Sequence, residues 1–96
     1  MGASEARSRR RYEVKVECRV AKFLSSLKDR KLLQRFRSAI DSLESDPRPK
    51  GSRKLKGAEQ DFRIRIGDYR ILYRVEDDRL LVVVIRIRHR REVYRD

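Results

Sequence analysis

The sequence predicts an α+β domain of order β-α-α-β-β-β, with two N-terminal helices packed on one face of a small, mainly antiparallel sheet. Three observations predict it. Apolar residues alternate just after residue 11, recur at helical spacing from Val20 to Leu43, and alternate or run together again from Phe62 to Arg88. Period two marks strands and period 3.6 marks helices, and helices followed by a run of strands segregate to one sheet face. Ninety-six residues support one domain. A charged fraction of 44% would suit a disordered chain, but the 39% that is hydrophobic is gathered into these periodic runs, enough for one shared core.

Residues 1–11 hold four Arg, one Glu and no apolar period, and read as a flexible basic arm ahead of a single domain over 12–96. Tyr12, Val14, Val16 and Cys18 alternate with Glu13, Lys15, Glu17 and Arg19 as a half-buried strand. Val20, Phe23, Leu24 and Leu27, then Leu32, Leu33, Phe36, Ala39, Ile40 and Leu43, give two amphipathic helices with a break near Lys28–Arg30. Asp46-Pro47-Arg48-Pro49 ends helical structure, and residues 50–61 form a basic connector. Three strands follow: Phe62–Ile66, Tyr69 to about Glu76, and Leu80–Arg88, the last apolar enough for burial on both faces. Gly67-Asp68, with Gly first, suits a two-residue type II′ hairpin turn, and Asp77-Asp78-Arg79 reads as a turn rather than a carboxylate dyad.

The net charge is +12, from 27 basic against 15 acidic residues, with a pI near 10.7. Such a chain repels itself unless an acidic partner compensates. Nucleic acid is the usual one, since neutralising phosphates releases counterions; an anionic membrane surface or an acidic protein are the others. Of the 27 basic residues 20 are Arg, whose planar fork grips phosphate in two places. G- and C-rich codons could raise Arg content generally, but they do not explain its clustering. One cysteine, Cys18, leaves no partner for an internal disulfide, and one histidine besides leaves too few ligands for structural zinc. No run approaches the ~18 apolar residues of a membrane span and no signal-peptide core is visible, so a soluble, reducing, cytoplasmic setting is expected. No Gly-rich phosphate loop and no Ser-His-Asp spacing is present.

The hairpin register sharpens the charge argument. A two-residue turn sets Ile66 opposite Tyr69 and therefore Arg65 opposite Arg70, with Arg63 on the same face. A three-residue second turn would set Arg70 opposite Arg86 as well, while Ile71, Tyr73 and Val75 face Ile85, Val83 and Leu81. The expectation is one oily face and one that concentrates Arg63, Arg65, Arg70 and Arg86. Opposed like charges destabilise a strand pair, and exposed strand faces usually mix their signs. From Arg48 to Arg74 nine basic residues meet three acidic ones, which favours an anion site over a merely solvated face. The last run adds Arg88, His89, Arg90, Arg91, Tyr94 and Arg95. Histidine is the side-chain type most used for proton transfer near neutral pH, and His89 is a candidate for that role or simply a surface residue. Tyr94 could stack on a base, move a proton, or pack the C-terminus onto the sheet.

Leu55-Lys56-Gly57, the segment Phe62 to Arg74 with its Gly67-Asp68-Tyr69-Arg70-Ile71-Leu72-Tyr73-Arg74, the run Val82 to Ile87, and His89-Arg90-Arg91-Glu92-Val93-Tyr94 together resemble the RelE family of bacterial and archaeal toxins, in the RelE/ParE superfamily. The likeness covers about residues 12–95. It implies the toxin of a type II toxin–antitoxin system: an mRNA interferase that enters the ribosomal A site and cuts mRNA, without metal or other cofactor, by attack of a ribose 2′-OH on the adjacent phosphate. Catalytic positions implied are Arg63, Arg65, Arg70, Arg90 and Tyr94, with His89 as a further candidate. The first two are Lys in the best-known bacterial member, and Arg, always protonated, is a poor general base. Lys54, Lys56, Arg74, Arg86 and Arg88 are expected RNA contacts, Lys54 and Lys56 on ribosomal RNA. Expected partners are mRNA, the ribosome and an acidic RelB-like antitoxin, with no membrane. Two other readings stay open: a ParE-like inhibitor of DNA gyrase, which needs neither the clustered Arg nor the terminal Tyr, and a basic RNA- or ribosome-binding protein without catalysis.

Overall fold

The computed structural model describes residues 11–93, the side chains of Glu92 and Val93 excepted. Tyr94 and Arg95, and the arm up to residue 10, lie outside the described residues. Strand β1 (Glu13–Val16) leads into helices α1 (Cys18–Ser26) and α2 (Arg30–Ser42); β2 (Arg53–Lys54), β3 (Asp61–Ile66), β4 (Tyr69–Glu76) and β5 (Leu81–His89) follow, and α3 (Arg90–Val93) closes the described chain. The sheet order is β1-β5-β4-β3-β2, with β1 parallel to β5 and every other pair antiparallel.

The N-terminal strand is shorter than its alternation suggested. Glu17 is extended, but its carbonyl already accepts from the N–H groups of Val20 and Ala21, so Cys18 opens a helix instead of continuing the strand. The break between the helices needs no Gly or Pro because Asp29 caps α2, its carboxylate accepting the Leu32 N–H at 3.1 Å.

Both helices press their apolar stripes on one sheet face. Val20, Phe36, Ile40 and Leu43 meet Phe62, Ile71, Tyr73, Val75, Val82 and Val84 in the buried core. Phe23 of α1, Phe36 of α2 and Tyr69 of β4 meet with ring centroids 5.4–5.9 Å apart. Tyr73 is fully buried, and its hydroxyl donates to the Pro47 carbonyl at 2.8 Å. A polar clasp closes the far end: Asp77 accepts the Tyr12 hydroxyl at 2.6 Å and both terminal nitrogens of Arg48 at 3.2 and 2.6 Å. Arg48 also lies 5.2 Å above the Phe62 ring. Asp77 is thus a turn residue tying three segments together.

The first hairpin has the expected register, Ile66 opposite Tyr69 and Arg65 opposite Arg70, about a turn whose Gly67 takes φ +59°. The second does not. Its connection includes Leu80, left-handed at φ +49°, so Glu76 faces Leu81, Val75 faces Val82 and Tyr73 faces Val84. A bulge between Leu72 and Tyr73 skips Ile85 and restores Arg86 and Arg88 to the open face, opposite Leu72 and Arg70. Arg70 is therefore opposed by Arg88 rather than Arg86, and Val82 and Val84, not Leu81, Val83 and Ile85, fill the core. The basic connector also holds a strand that the sequence pattern did not reveal, β2, two residues long.

Candidate functional site

Antiparallel pairing sorts the open sheet face into rows. One row is Arg65, Arg70 and Arg88 on β3, β4 and β5; the next is Arg53, Arg63, Leu72 and Arg86 on β2 to β5. Directly opposed residues stand with Cα atoms about 4.5–5.5 Å apart, so six guanidinium groups share a small patch. The third row is balanced: Asp61 faces Arg74, and its carboxylate accepts from Arg74 Nε at 2.9 Å. Two rows whose only charges are positive, beside one neutral row, make a local anion trap.

Little within the protein quenches the centre of those rows. Arg63 and Arg70 are half-buried and have no acidic partner among the described residues. Arg65 is exposed, and its Nε donates to the Gly67 carbonyl at 3.3 Å. Arg90 sits where β5 becomes α3. Its N–H donates to the Asp68 carbonyl at 2.7 Å, and its guanidinium lies 3.6 Å from the Asp68 carboxylate. The hairpin turn therefore sets the position of Arg90 beside the row.

Two clefts result. One of about 380 Å³ is lined by Gly51, Arg53, Arg63, Arg65 and Arg70. A narrower one of about 90 Å³ is lined by Arg65, Gly67, Asp68, Tyr69, Arg70 and Arg90. They share Arg65 and Arg70, which stand between them. The four arginines expected at the centre, Arg63, Arg65, Arg70 and Arg90, are brought together here. Arg86 and Arg88 join them on the same face, and Arg74 lies on it already matched by Asp61.

Other expected residues fall elsewhere. Lys54 pairs with Phe62, on the opposite face from Arg53, and its amine is 3.7 Å from Glu59. Lys56 is exposed in the turn before Gly57. His89 is set edge-on against Tyr69, centroids 5.0 Å apart, on the helix-facing side of β5, and its Nδ1 accepts the Arg91 N–H at 3.2 Å. It borders an outer groove with Asp68, Arg90 and Arg91. Tyr94 lies outside the described residues. Sequence reasoning missed Arg53: a two-residue strand has no period to detect, and only the pairing with Arg63 reveals its face.

Such an array can grip successive phosphates and stabilise charge that builds up on a phosphoryl group. Among the described residues no three His, Cys, Asp or Glu side chains come together as a metal-ligand set, and no helix is long and apolar enough to cross a membrane.

Residues 14–94 match the family described as ParE toxin of type II toxin-antitoxin system, parDE. A Methanocaldococcus jannaschii chain that carries the name RelE1 is 30% identical over 89 residues, 90% of this chain and 98% of its own. Toxin RelG of Mycobacterium tuberculosis is 33% identical over 87 residues, 88% and 97% of the two chains. In the archaeal RelE–RelB complex from Pyrococcus horikoshii one chain superposes with a TM-score of 0.73 at 32% identity, over 82% of this chain and 94% of that one. A mutant of Escherichia coli RelE in the free state shares the fold, with a TM-score of 0.69 at 24% identity over 88% and 92%.

Proposed function

Because the chain belongs to the ParE toxin family of type II toxin–antitoxin systems, within the RelE/ParE superfamily, we propose that it is a cytoplasmic, ribosome-dependent mRNA endoribonuclease, a toxin that stops translation by cutting mRNA in the A site. The observation that carries this reading is the pair of arginine rows on the open sheet face. A gyrase inhibitor that cuts no RNA would not need clustered arginines on this face. The relatives at 30% identity and above carry RelE and RelG names, which supports the same choice.

In this mechanism the 2′-oxygen attacks the adjacent phosphorus and the bond to the 5′-oxygen breaks, leaving a 2′,3′-cyclic phosphate and a 5′-hydroxyl. Arg70 and Arg90 meet the charge that grows on the phosphorane oxygens, the largest contribution fixed donors can make. Arg63 and Arg65 hold the flanking phosphates, with Arg86 and Arg88 extending the grip. Arg is a poor proton acceptor, so Tyr94 carries the proton transfer, with His89 as the alternative, set off the open face by its packing on Tyr69. The solved RelE–RelB complexes support an acidic RelB-like antitoxin as the partner that holds this chain inactive, and a charge of +12 suits such a partner.

The deciding experiment is mRNA cleavage in a purified translation system, with and without ribosomes, and on naked RNA in EDTA. Cuts within codons that require ribosomes are expected. Intact RNA together with blocked supercoiling by gyrase would replace this reading with the gyrase one, and binding without either effect would reduce the protein to an RNA-binding module.

A further inference from the structure

Arg53 has no place in the catalytic scheme above, yet its position is constrained. It occupies a two-residue strand directly opposite Arg63, an arrangement of like charges that strand pairs avoid. Gly51, at φ +95°, bends the chain just before it, and the Ser52 N–H donates to the Pro49 carbonyl at 2.9 Å. No heavy atom lies within 4 Å of where a Gly51 side chain would begin, so the bend demands glycine for its backbone angle and not for space. The turn lays the chain on the outer edge of β3 and aims Arg53 onto the open face. There it lines the larger cleft with Arg63, Arg65 and Arg70, and no acidic side chain lines that cleft. Arg53 has no salt-bridge partner among the described residues, whereas its neighbour Lys54 has Glu59.

Spacing says what the cleft takes. The two cationic rows lie two residues apart along the strands, about 6.5–7 Å. Arg53 and Arg63 stand beside Arg65 and Arg70 at that separation, and the two free oxygens of one phosphodiester are too few to seat four two-pronged forks. We propose that Arg53, with Arg63, forms a second phosphate subsite at the β2–β3 edge, holding a backbone phosphate of single-stranded RNA next to the one cut at Arg65, Arg70 and Arg90. This rests on the endoribonuclease reading for the identity of the strand. Arg53 is a substrate-binding residue in it, and not one that touches the reacting atoms.

The test uses the full chain and a single-stranded RNA of about 12 nucleotides, 2′-O-methylated so that it cannot be cut. Binding is followed by fluorescence anisotropy across a salt series, and cutting of mRNA on ribosomes is measured in parallel. Arg53→Ala should weaken binding about 3- to 10-fold and flatten the slope of log K against log salt by about 0.7, the share of one phosphate on a single strand. Arg53→Lys should keep the slope and lose part of the affinity. Lys22→Ala, exposed on α1, should change neither. On ribosomes Arg53→Ala should raise KM and leave kcat within about twofold, as loss of uniform binding does. An unchanged slope in Arg53→Ala, confirmed with Arg53→Gln, overturns the subsite even if mRNA is still cut. A flattened slope in a protein that cuts nothing keeps the subsite and removes the endoribonuclease reading instead.

Discussion

Arg70 stands between Arg65 and Arg88 in the sheet, so its side chain raises the energy of the fold it belongs to. Opposed like charges on neighbouring strands cost roughly 0.2–1 kcal/mol per pair. Arg70→Ala should therefore leave the unfolding free energy from urea titration within about 1 kcal/mol of the parent, relief of repulsion offsetting the lost aliphatic stem. Cutting of mRNA should fall by about 100-fold or more, as loss of a preorganised donor to a developing oxyanion does. Full-rate cutting by this variant would misplace the site. Asp61 gives a prediction of opposite sign. It neutralises Arg74 at 2.9 Å, so Asp61→Asn should free that guanidinium, tighten RNA binding and steepen its salt slope by about 0.7; an unchanged slope would mean that Arg74 stays off the RNA path. Arg63, Arg65 and Arg70 were legible in the sequence because they alternate with Ile64, Ile66, Tyr69 and Ile71 about a turn of fixed length. Arg53 was not, since its face depends on pairing with β3, across a turn that carries no apolar period.

At the scale of elements, the two hairpins show why one register could be read and the other could not. From Phe62 to Ile71, on both sides of Gly67-Asp68, polar and apolar residues alternate, and a slip of one would bury arginines. From Leu81 to Ile85 every residue is apolar, so either face of β5 could have turned inward. The choice fell to Leu80 in its left-handed turn and to the bulge at Ile85, neither of which has a period. The clasp of Tyr12, Asp77 and Arg48 was equally hidden, its members 29 to 65 residues apart. Hydrogen bonds from Arg48 first, and Tyr12 second, hold the Asp77 carboxyl below its ordinary range. A depressed carboxylate stabilises the fold fully above its unfolded pKa of about 3.9 and loses that effect as pH falls through the lower folded value. Asp77→Asn should thus cost about 1 kcal/mol at pH 7, small because the pair is half-exposed. The gap between parent and variant in paired urea titrations should start to narrow near pH 3.9 and close as the pH falls through the lower folded value. A gap that persists in acid would show that packing at the turn, not the ion pair, is what the substitution disturbs.

For the whole molecule the decisive quantity is +12 spread over a radius of gyration of 13.9 Å. At 10 mM salt the screening length is about 30 Å, so cations interact across much of the molecule; at 0.15 M it is about 8 Å, and only near neighbours such as the arginine rows still interact. Salt should therefore act in opposite directions on the two properties of this protein. Raising it should increase the thermal midpoint of the free chain, by about 4–8 °C for each kcal/mol of repulsion removed, while it weakens RNA binding through lost counterion release. The double variant Arg65→Ala, Arg70→Ala separates diffuse charge from the array. If the open face is where repulsion is concentrated, removing two of the 27 basic residues should take away well over their proportional share of the salt-induced gain, and the same variant should bind RNA with a much shallower slope. A gain reduced only in proportion to the charge removed would mean that the repulsion is spread evenly. The arginine face would then be no more strained than the rest of the surface, and its claim to be the phosphate site would rest on cutting data alone.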